Sequence, residues 1–470
     1  MTRRRTLPTI TAILMSVNGF AGSAWAASLS VANNGIDSNA CGLPSTPCRT
    51  ISQAIENAQP GDTIWVGAGH YGDVSGNGSF SGAADEHPQP MVSDAGFTGC
   101  IVCVNKRVKV YSNSGAAVTT IDSGASPGMF NVTVAITADG ACFGSPGHGF
   151  TVTGGNAIGV GVDLSNWTYS RFGINVAGNR DLKDGAGFQV MGPRGCDGNG
   201  CICPPGAQCP PVGWYGVIDI NTNESVGNGT GTGFSVSPKF AFGYGKPAPL
   251  AFLLRDNVAS AAGIGFGVAP GASQCDGCLN GSTAHEVSVI HNAASGNGEG
   301  FALFLAGPTL DNLATDNASI GFDVTEDGSA QLFKRNSAIG NGGPGVMFSV
   351  LGLEPIVLDS FTQNSFFAND RNRPPLPTFP PVQPDPGPSA HCGVLNVGAV
   401  AGYSWGEQPF NAFPPYAAVT LQAQGNYWGS KQGPQAHGPG DTFGGACDQN
   451  NATTIALPFS MSPANVIPVP

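Results

Sequence analysis

Residues 255–268 read RDNVASAAGIGFGV, residues 291–304 HNAASGNGEGFALF, residues 316–324 DNASIGFDV and residues 335–348 RNSAIGNGGPGVMF. Each copy carries an Asn, a turn of small residues, then Gly before a large apolar side chain and a short alternating run. Period-two alternation marks a strand and the Gly-rich break marks a tight turn, so the phrase describes strand, turn, strand. NESVGNGTGTGFSV at 223–236 fits the phrase in full and TQNSFFAND at 362–370 in part. Aligned on Asn, the copies give a column of Asn223, Asn257, Asn292, Asn317, Asn336 and Asn364, with Asn175 as a weaker member. Intervals of 19 to 35 residues suit one coil of three short strands with a loop of varying length. Asn tolerates the left-handed backbone of such a turn, and stacked amides about 4.8 Å apart can bond along the column. A second column, Phe234, Phe266, Phe301, Phe322 and Val346, is the expected core. Two columns kept in phase predict an all-β chain, a single-stranded parallel β-helix (solenoid), rather than a sandwich.

Composition agrees. Gly contributes 70 of 470 residues and charged side chains only 11%, against about 7% and 25% in ordinary chains. The net charge of −12 disfavours nucleic acid as a partner, since phosphate binding needs a basic face. The first 26 residues read as a signal peptide: Arg3, Arg4 and Arg5, an apolar run over 10–17, and an Ala24-Trp25-Ala26 cleavage site. Cleavage leaves 16 basic against 31 acidic side chains, a net charge of −15. No later stretch reaches the roughly 18 apolar residues of a membrane span, so no transmembrane anchor is expected. The expected location is secreted or periplasmic, which the 13 Cys residues also fit. Cys41 and Cys48 close a short loop and are the leading disulfide. Cys100/Cys103 and Cys275/Cys278 read as disulfides in preference to zinc or redox sites, and Cys392 with Cys447 could staple the last coils.

The expected organisation is a signal peptide over 1–26, a cap and first coil over 27–80, the β-helix over 81–450, and a tail over 451–470. Two insertions interrupt the coils, a Cys- and Pro-rich loop at 192–213 and a Pro-rich loop at 371–388. Within the cap, Thr50 and Gln53 form a capping box, and Ile51, Ala54, Ile55 and Ala58 fall at helical spacing. A short helix with one apolar face would plug the open end of the coil stack.

The order of this strand, the NNGIDSN loop, the TISQAIENA helix and PGDTIWVGAGHYGD resembles the N-terminal cap and first coil of right-handed parallel β-helix proteins of the pectate-lyase-like (pectin lyase-like) superfamily. GFTVTGGN at 149–156 is similar to a common coil phrase there, and QGNYWGSKQGP at 424–434 to a closing coil, including that of periplasmic β-helices linked to copper-site maturation. The resemblance implies the fold and not the activity, because the superfamily holds lyases, hydrolases, epimerases and non-enzymes.

The residues just before each aligned Asn form a further column of Thr222, Asp256, His291, Asp316, Arg335 and Gln363. Strand parity points them inward, where four ionisable groups would each cost several kcal/mol. The chain is therefore expected to be turning there, leaving them near water. Asp256, His291, Asp316 and Arg335 are the candidate catalytic residues, against a purely structural ladder of alternating charges. A lyase on acidic polysaccharide would need Ca²⁺ or cationic side chains to neutralise a uronate, and a base. Asp256 and Asp316 are the candidate metal ligands, with Arg335 or Lys334 as base. Gly147-His148-Gly149 resembles one element of polygalacturonase-like hydrolases, but the accompanying aspartate pair is missing. The first reading is thus an exported β-helix that binds or displays at a surface and contacts polysaccharide or a cell-surface glycan. A polysaccharide lyase and a periplasmic metal-centre maturation factor are the alternatives.

Overall fold

The computed structural model describes residues 26–91, 93, 96–124, 130–155, 157–164, 171–192, 215–237, 250–268, 287–304, 307–326, 332–351, 356–358, 361–370, 392–400, 418–429, 448, 452–457 and 459–463. The expected signal peptide apart from its last residue, the body of both insertions, the Cys275/Cys278 pair and Cys447 lie outside these residues.

Three long sheets run the length of the molecule, with 11, 10 and 11 strands among the described residues. The first begins with Ser28–Val31 and ends with Phe361–Thr362; the second runs from Gly69–Gly72 to Ser365–Phe367; the third from Gln89–Pro90 to Val394–Val400. Every pairing in them is parallel except that of Gln89–Pro90 with Gly99–Cys100. Each coil contributes one strand to each sheet in turn, as Leu250–Arg255, Val258–Ser260 and Ile264–Val268 do. This is the right-handed parallel β-helix anticipated from the repeat and the resemblance. A small fourth sheet joins Ile356–Leu358, Val419–Gln422 and Ala452–Ile455.

The apolar column holds. Phe188, Phe234, Phe266, Phe301, Phe322 and Val346 are register partners on successive rungs of the third sheet. The phenylalanine rings stack with centroids 4.6–4.9 Å apart, the spacing of the strands themselves. Such pairs add about 0.5–1.5 kcal/mol each beyond burial. Opposite them, on the second sheet, Ala259, Ala294, Ala314 and Ala338 point inward and leave room for the rings. Gly265, Gly300 and Gly321 complete the fit, because a Cβ at each would lie within 2.4–2.6 Å of the next rung's carbonyl oxygen.

At the N-terminal end the helix α1, Ile51–Asn57, covers the first coil with Ile51, Ala54 and Ile55 buried. Thr50 caps it, its side chain accepting from Gln53 N–H. Gln53 does not complete the capping box; its amide donates to Glu56 and Asn57 instead. Thr50 N–H goes to Asp37, and the buried Glu86 carboxylate accepts from the Ile51 and Ser52 N–H groups. Cys41–Cys48 and Cys100–Cys103 are disulfides, Cys392 is disulfide-bonded, and Cys142 is a free thiol.

The asparagine column needs correction. Two ladders exist, one at each end of the short second-sheet strands. The first corner stacks Asn179, Asn223, Asn257, Asn292, Asn312, Asn336, Asn364 and Asn426. The second stacks Asn297, Asn317, Asn341 and Asn369. Asn317 therefore belongs to the second corner, and Asn312 occupies its expected place. Asn175 belongs to neither: it lies on a first-sheet strand and donates to Asp219.

Candidate functional site

Each first-corner Asn from Asn223 to Asn364 is preceded by a residue in the left-handed region: Thr222, Asp256, His291, Asp311, Arg335 and Gln363 have φ of 50–60°. The chain turns there, as the cost of burying four ionisable groups demanded, and the side chains leave the core. Asp311 replaces Asp316 in this column. Asp316 sits exposed on the second corner, beyond the strand Leu313–Thr315. Asp256 and Asp316 thus lie on different corners and different coils and form no shared cation site. The remaining candidates, Asp256, His291 and Arg335, do share one seam.

Along that seam the charges pair. Arg255 donates to both oxygens of Asp219 at 3.0 and 2.8 Å and, through Nη1, to Asp256 at 3.1 Å. Asp256 Oδ1 lies 2.7 Å from His291 Nδ1. Arg335 grips Asp311 with two bonds of 2.6 Å. The hydrogen bonds it donates to Asp219 hold the Arg255 guanidinium above its ordinary value, and those donated to Asp311 do the same for Arg335. A general base must give up its proton to be ready, so Arg335 is poorly set for that task. The seam acts as an ionic ladder that ties rung to rung. Asp219 and Asp311 escape a reading of the sequence because their partners lie 36 and 24 residues away.

A second group lies on the outer face of the first sheet, toward the N-terminal end. Trp65 and Tyr111 are register partners on neighbouring strands, with ring centroids 5.4 Å apart. His148 meets Trp65 edge-on at 5.6 Å, and its Nδ1 bonds the Ser112 carbonyl oxygen at 2.9 Å. All three rings are half-buried. Alternation sends the two strand aromatics outward, since Ile64, Val66, Val110 and Ser112 on the same strands are buried. Burial pushes the Tyr111 phenol up to about 12, and its hydroxyl bonds the Cys142 thiol. Beside the rings runs an outward polar column on successive rungs: Thr63, Lys109, Cys142, Asn175 and Asp219. It leads from the aromatic group to Arg255 and the ionic seam. In the sequence the rings are legible only as single aromatics, because Trp65 and Tyr111 meet through the register of two separate strands.

Other clusters are less promising. Asp37 adjoins Cys41 and Cys48, whose sulfurs are consumed in a disulfide and cannot act as thiolate ligands. Glu299 and Asp323 on the third sheet are raised by burial to about 8 and about 7, and Asp323 raises Glu299 further. They are two carboxyls that hold protons near neutrality, with no nucleophile or cation beside them among the described contacts.

No family model matches the chain, and no curated protein matches it. Among solved structures, the A-module of mannuronan C-5 epimerase AlgE4 from Azotobacter vinelandii aligns with 80% of this chain and 82% of its own length. The identity is 13% and the TM-score 0.35, so the assignment of the fold rests on the parallel sheets and ladders of this molecule.

Proposed function

We propose that this chain is an exported β-helix that binds polysaccharide along the outer face of its first sheet, with the Trp65–Tyr111–His148 group as the anchor. The observation that carries this reading is the juxtaposition of half-buried rings with an unbroken polar column. Sugar rings present an apolar C–H face and a rim of hydroxyls. An aromatic surface takes the first, and side chains that both donate and accept take the second. The rung repeat of about 4.8 Å offers an extended polymer an equivalent position at each step. Export is supported by the N-terminal signal-like segment and by the disulfides. No helix among the described residues is long and apolar enough to cross a membrane.

The glycan class that fits is neutral. The chain carries a net charge of −12, and the seam's arginines are already paired with carboxylates. Lys109 is the one cation in the polar column, and against a net charge of −12 it offsets little of the repulsion a uronate polymer would meet. For the lyase alternative, the same pairing commits Arg335 to Asp311 and leaves Lys334 as its remaining candidate base, while Asp256 and Asp316 lie on different corners.

The test is affinity electrophoresis of the mature chain through gels containing neutral plant, fungal or bacterial polysaccharides, with pectate and alginate alongside. Retardation by a neutral glycan, lost at least about tenfold in Trp65→Ala and left intact in Asp316→Ala, is the expected result; tenfold corresponds to about 1.4 kcal/mol of binding. Retardation by pectate or alginate alone, or by none, would overturn the reading. Unsaturated product absorbing in the ultraviolet would favour the lyase instead.

A further inference from the structure

The second corner repeats a pattern of its own. Three residues after each inward-facing residue of the second sheet stands a buried corner residue. The inward residues are Ser225, Ala259, Ala294, Ala314, Ala338 and Phe366, and the corner residues Asn228, Ala262, Asn297, Asn317, Asn341 and Asn369. One coil earlier the corresponding positions are Asp181 and Asp184. Both are acids, 0% and 1% exposed, in a place where the other coils put a small or apolar residue and, on five of six, an amide.

Asp181 Oδ2 accepts from Ser225 Oγ at 3.2 Å and from Asn228 Nδ2 at 2.8 Å. Asp181 Oδ1 is buried and receives no donor from these groups. Asp184 faces the same pocket: a Cβ at Gly159 would lie 2.2 Å from Asp181 Oδ1 and 2.9 Å from Asp184 Oδ2, so the two carboxyls converge on one small space. Two carboxyl groups bond each other only with a proton between them, and two bare carboxylates in a dry interior would repel. Among the described residues the other faces of the site bring no charge: Val152 precedes Asp181 in its column, and Gly159 and Gly187 approach from the third sheet. Those glycines make room for the pair. Lys183, between the two acids, is exposed at the corner itself.

We propose that Asp181 and Asp184 share one proton inside the rod, making the second corner a device whose stability falls as pH rises. Burial favours the protonated form of Asp181 in the folded chain and outweighs the opposing contacts of Asp184, Asn228 and Ser225, whereas the unfolded chain releases its protons near the ordinary carboxylate range. Between those two points the folded state binds more protons than the unfolded state, so stability declines with rising pH. The contribution is fully present at acid pH and is lost as the pair is forced to ionise.

Asp184→Asn tests this directly, since an amide there supplies permanently the hydrogen that the proton supplies, and is what five other coils already carry. The readout is the thermal midpoint of the mature chain at about pH 5 and about pH 8, on either side of neutrality. The native chain is expected to lose about 2 °C or more beyond what the variant loses over that interval. Infrared spectra at neutral pH should show a protonated-carboxyl band in the native chain that is weaker in the variant. Asp181→Ser, which copies the residue of the next coil, serves if the amide variant does not fold. Equal pH profiles in native chain and variant, with no change in the carboxyl band, would sink the proposal.

Discussion

The two corners of this rod solve one geometric problem in different ways. Both require a left-handed residue before a buried position, and glycine meets that need at least cost. The second corner uses Gly227, Gly296 and Gly340, with Lys183, Ala261, Asp316 and Ala368 between them. The first uses no glycine from Thr222 to Gln363, and six successive coils place a side chain at φ of 50–60°. At about 1–2 kcal/mol of strain per residue, that choice needs compensation, and four of the six, Asp256, His291, Asp311 and Arg335, belong to the ionic seam. The comparison teaches that both corners keep an amide ladder inside, while the first adds ionic chemistry on its surface and the second adds the buried Asp181–Asp184 pair.

The sharpest way to break this contrast is to remove one amide from each ladder. Asn292 Oδ1 accepts from both the N–H and the side chain of Asn257, and its Nδ2 donates to Leu254, Ile290 and Asn312. Asn297 Oδ1 accepts from the Ala262 N–H, with no side-chain amide above it. Asn292→Ala should therefore cost about 3 kcal/mol or more, and Asn297→Ala about 1 kcal/mol less. Urea midpoints compared at equal slope check the difference; equal losses would mean that the gap at Ala262 does not weaken the second ladder.

A smaller effect should carry opposite signs at the two corners. Asp311→Gly relieves a left-handed residue but strips Arg335 of both bonds, and a half-exposed pair of that geometry makes the net loss about 1 kcal/mol. Asp316→Gly relieves the same strain without breaking an ion pair, and should gain a few tenths of a kcal/mol. Parallel thermal melts decide the signs, and two losses would show that strain is not what separates the corners. The smallest effect belongs to Ala262→Asn, which would close the ladder gap between Asn228 and Asn297 and raise stability by less than about 1 kcal/mol. A thermal midpoint that falls instead would show that the pocket at Ala262 has no room for an amide.

Much of the fold is legible in the sequence because stacking copies a residue from coil to coil. The phenylalanine column reads correctly, since each Phe follows a Gly that marks the entry to the third sheet. The asparagine column acquires one wrong member for a definite reason. Both corners carry Asn, and a second-sheet strand of three residues sets them five apart: Asn223/Asn228, Asn292/Asn297, Asn312/Asn317, Asn336/Asn341 and Asn364/Asn369. Aligning DNASIGF on its own Asn makes a second corner stand in for a first. The Asn-x4-Asn doublet is the signal that separates them. Asp316 enters the candidate site through that slip, and Asp311 is left out by it. The bidentate pairs of Arg255 and Arg335 are beyond the reach of sequence, because they depend on which coil lies beneath which. The need for a turn at the charged column follows from desolvation cost alone.

The first-corner amides all point the same way: each Nδ2 bonds the Oδ1 of the next coil, from Asn179 to Asn426. A one-way chain of identical links has no preferred length. Excising residues 312–335 would bring Asn336 beneath Asn292 with donor and acceptor still matched, and in the core Phe301 would then meet Val346, the residue that now follows Phe322. Molecules of this design can thus be shortened or lengthened by whole turns, with the length of the rod changing while the grip of each turn on the next stays the same.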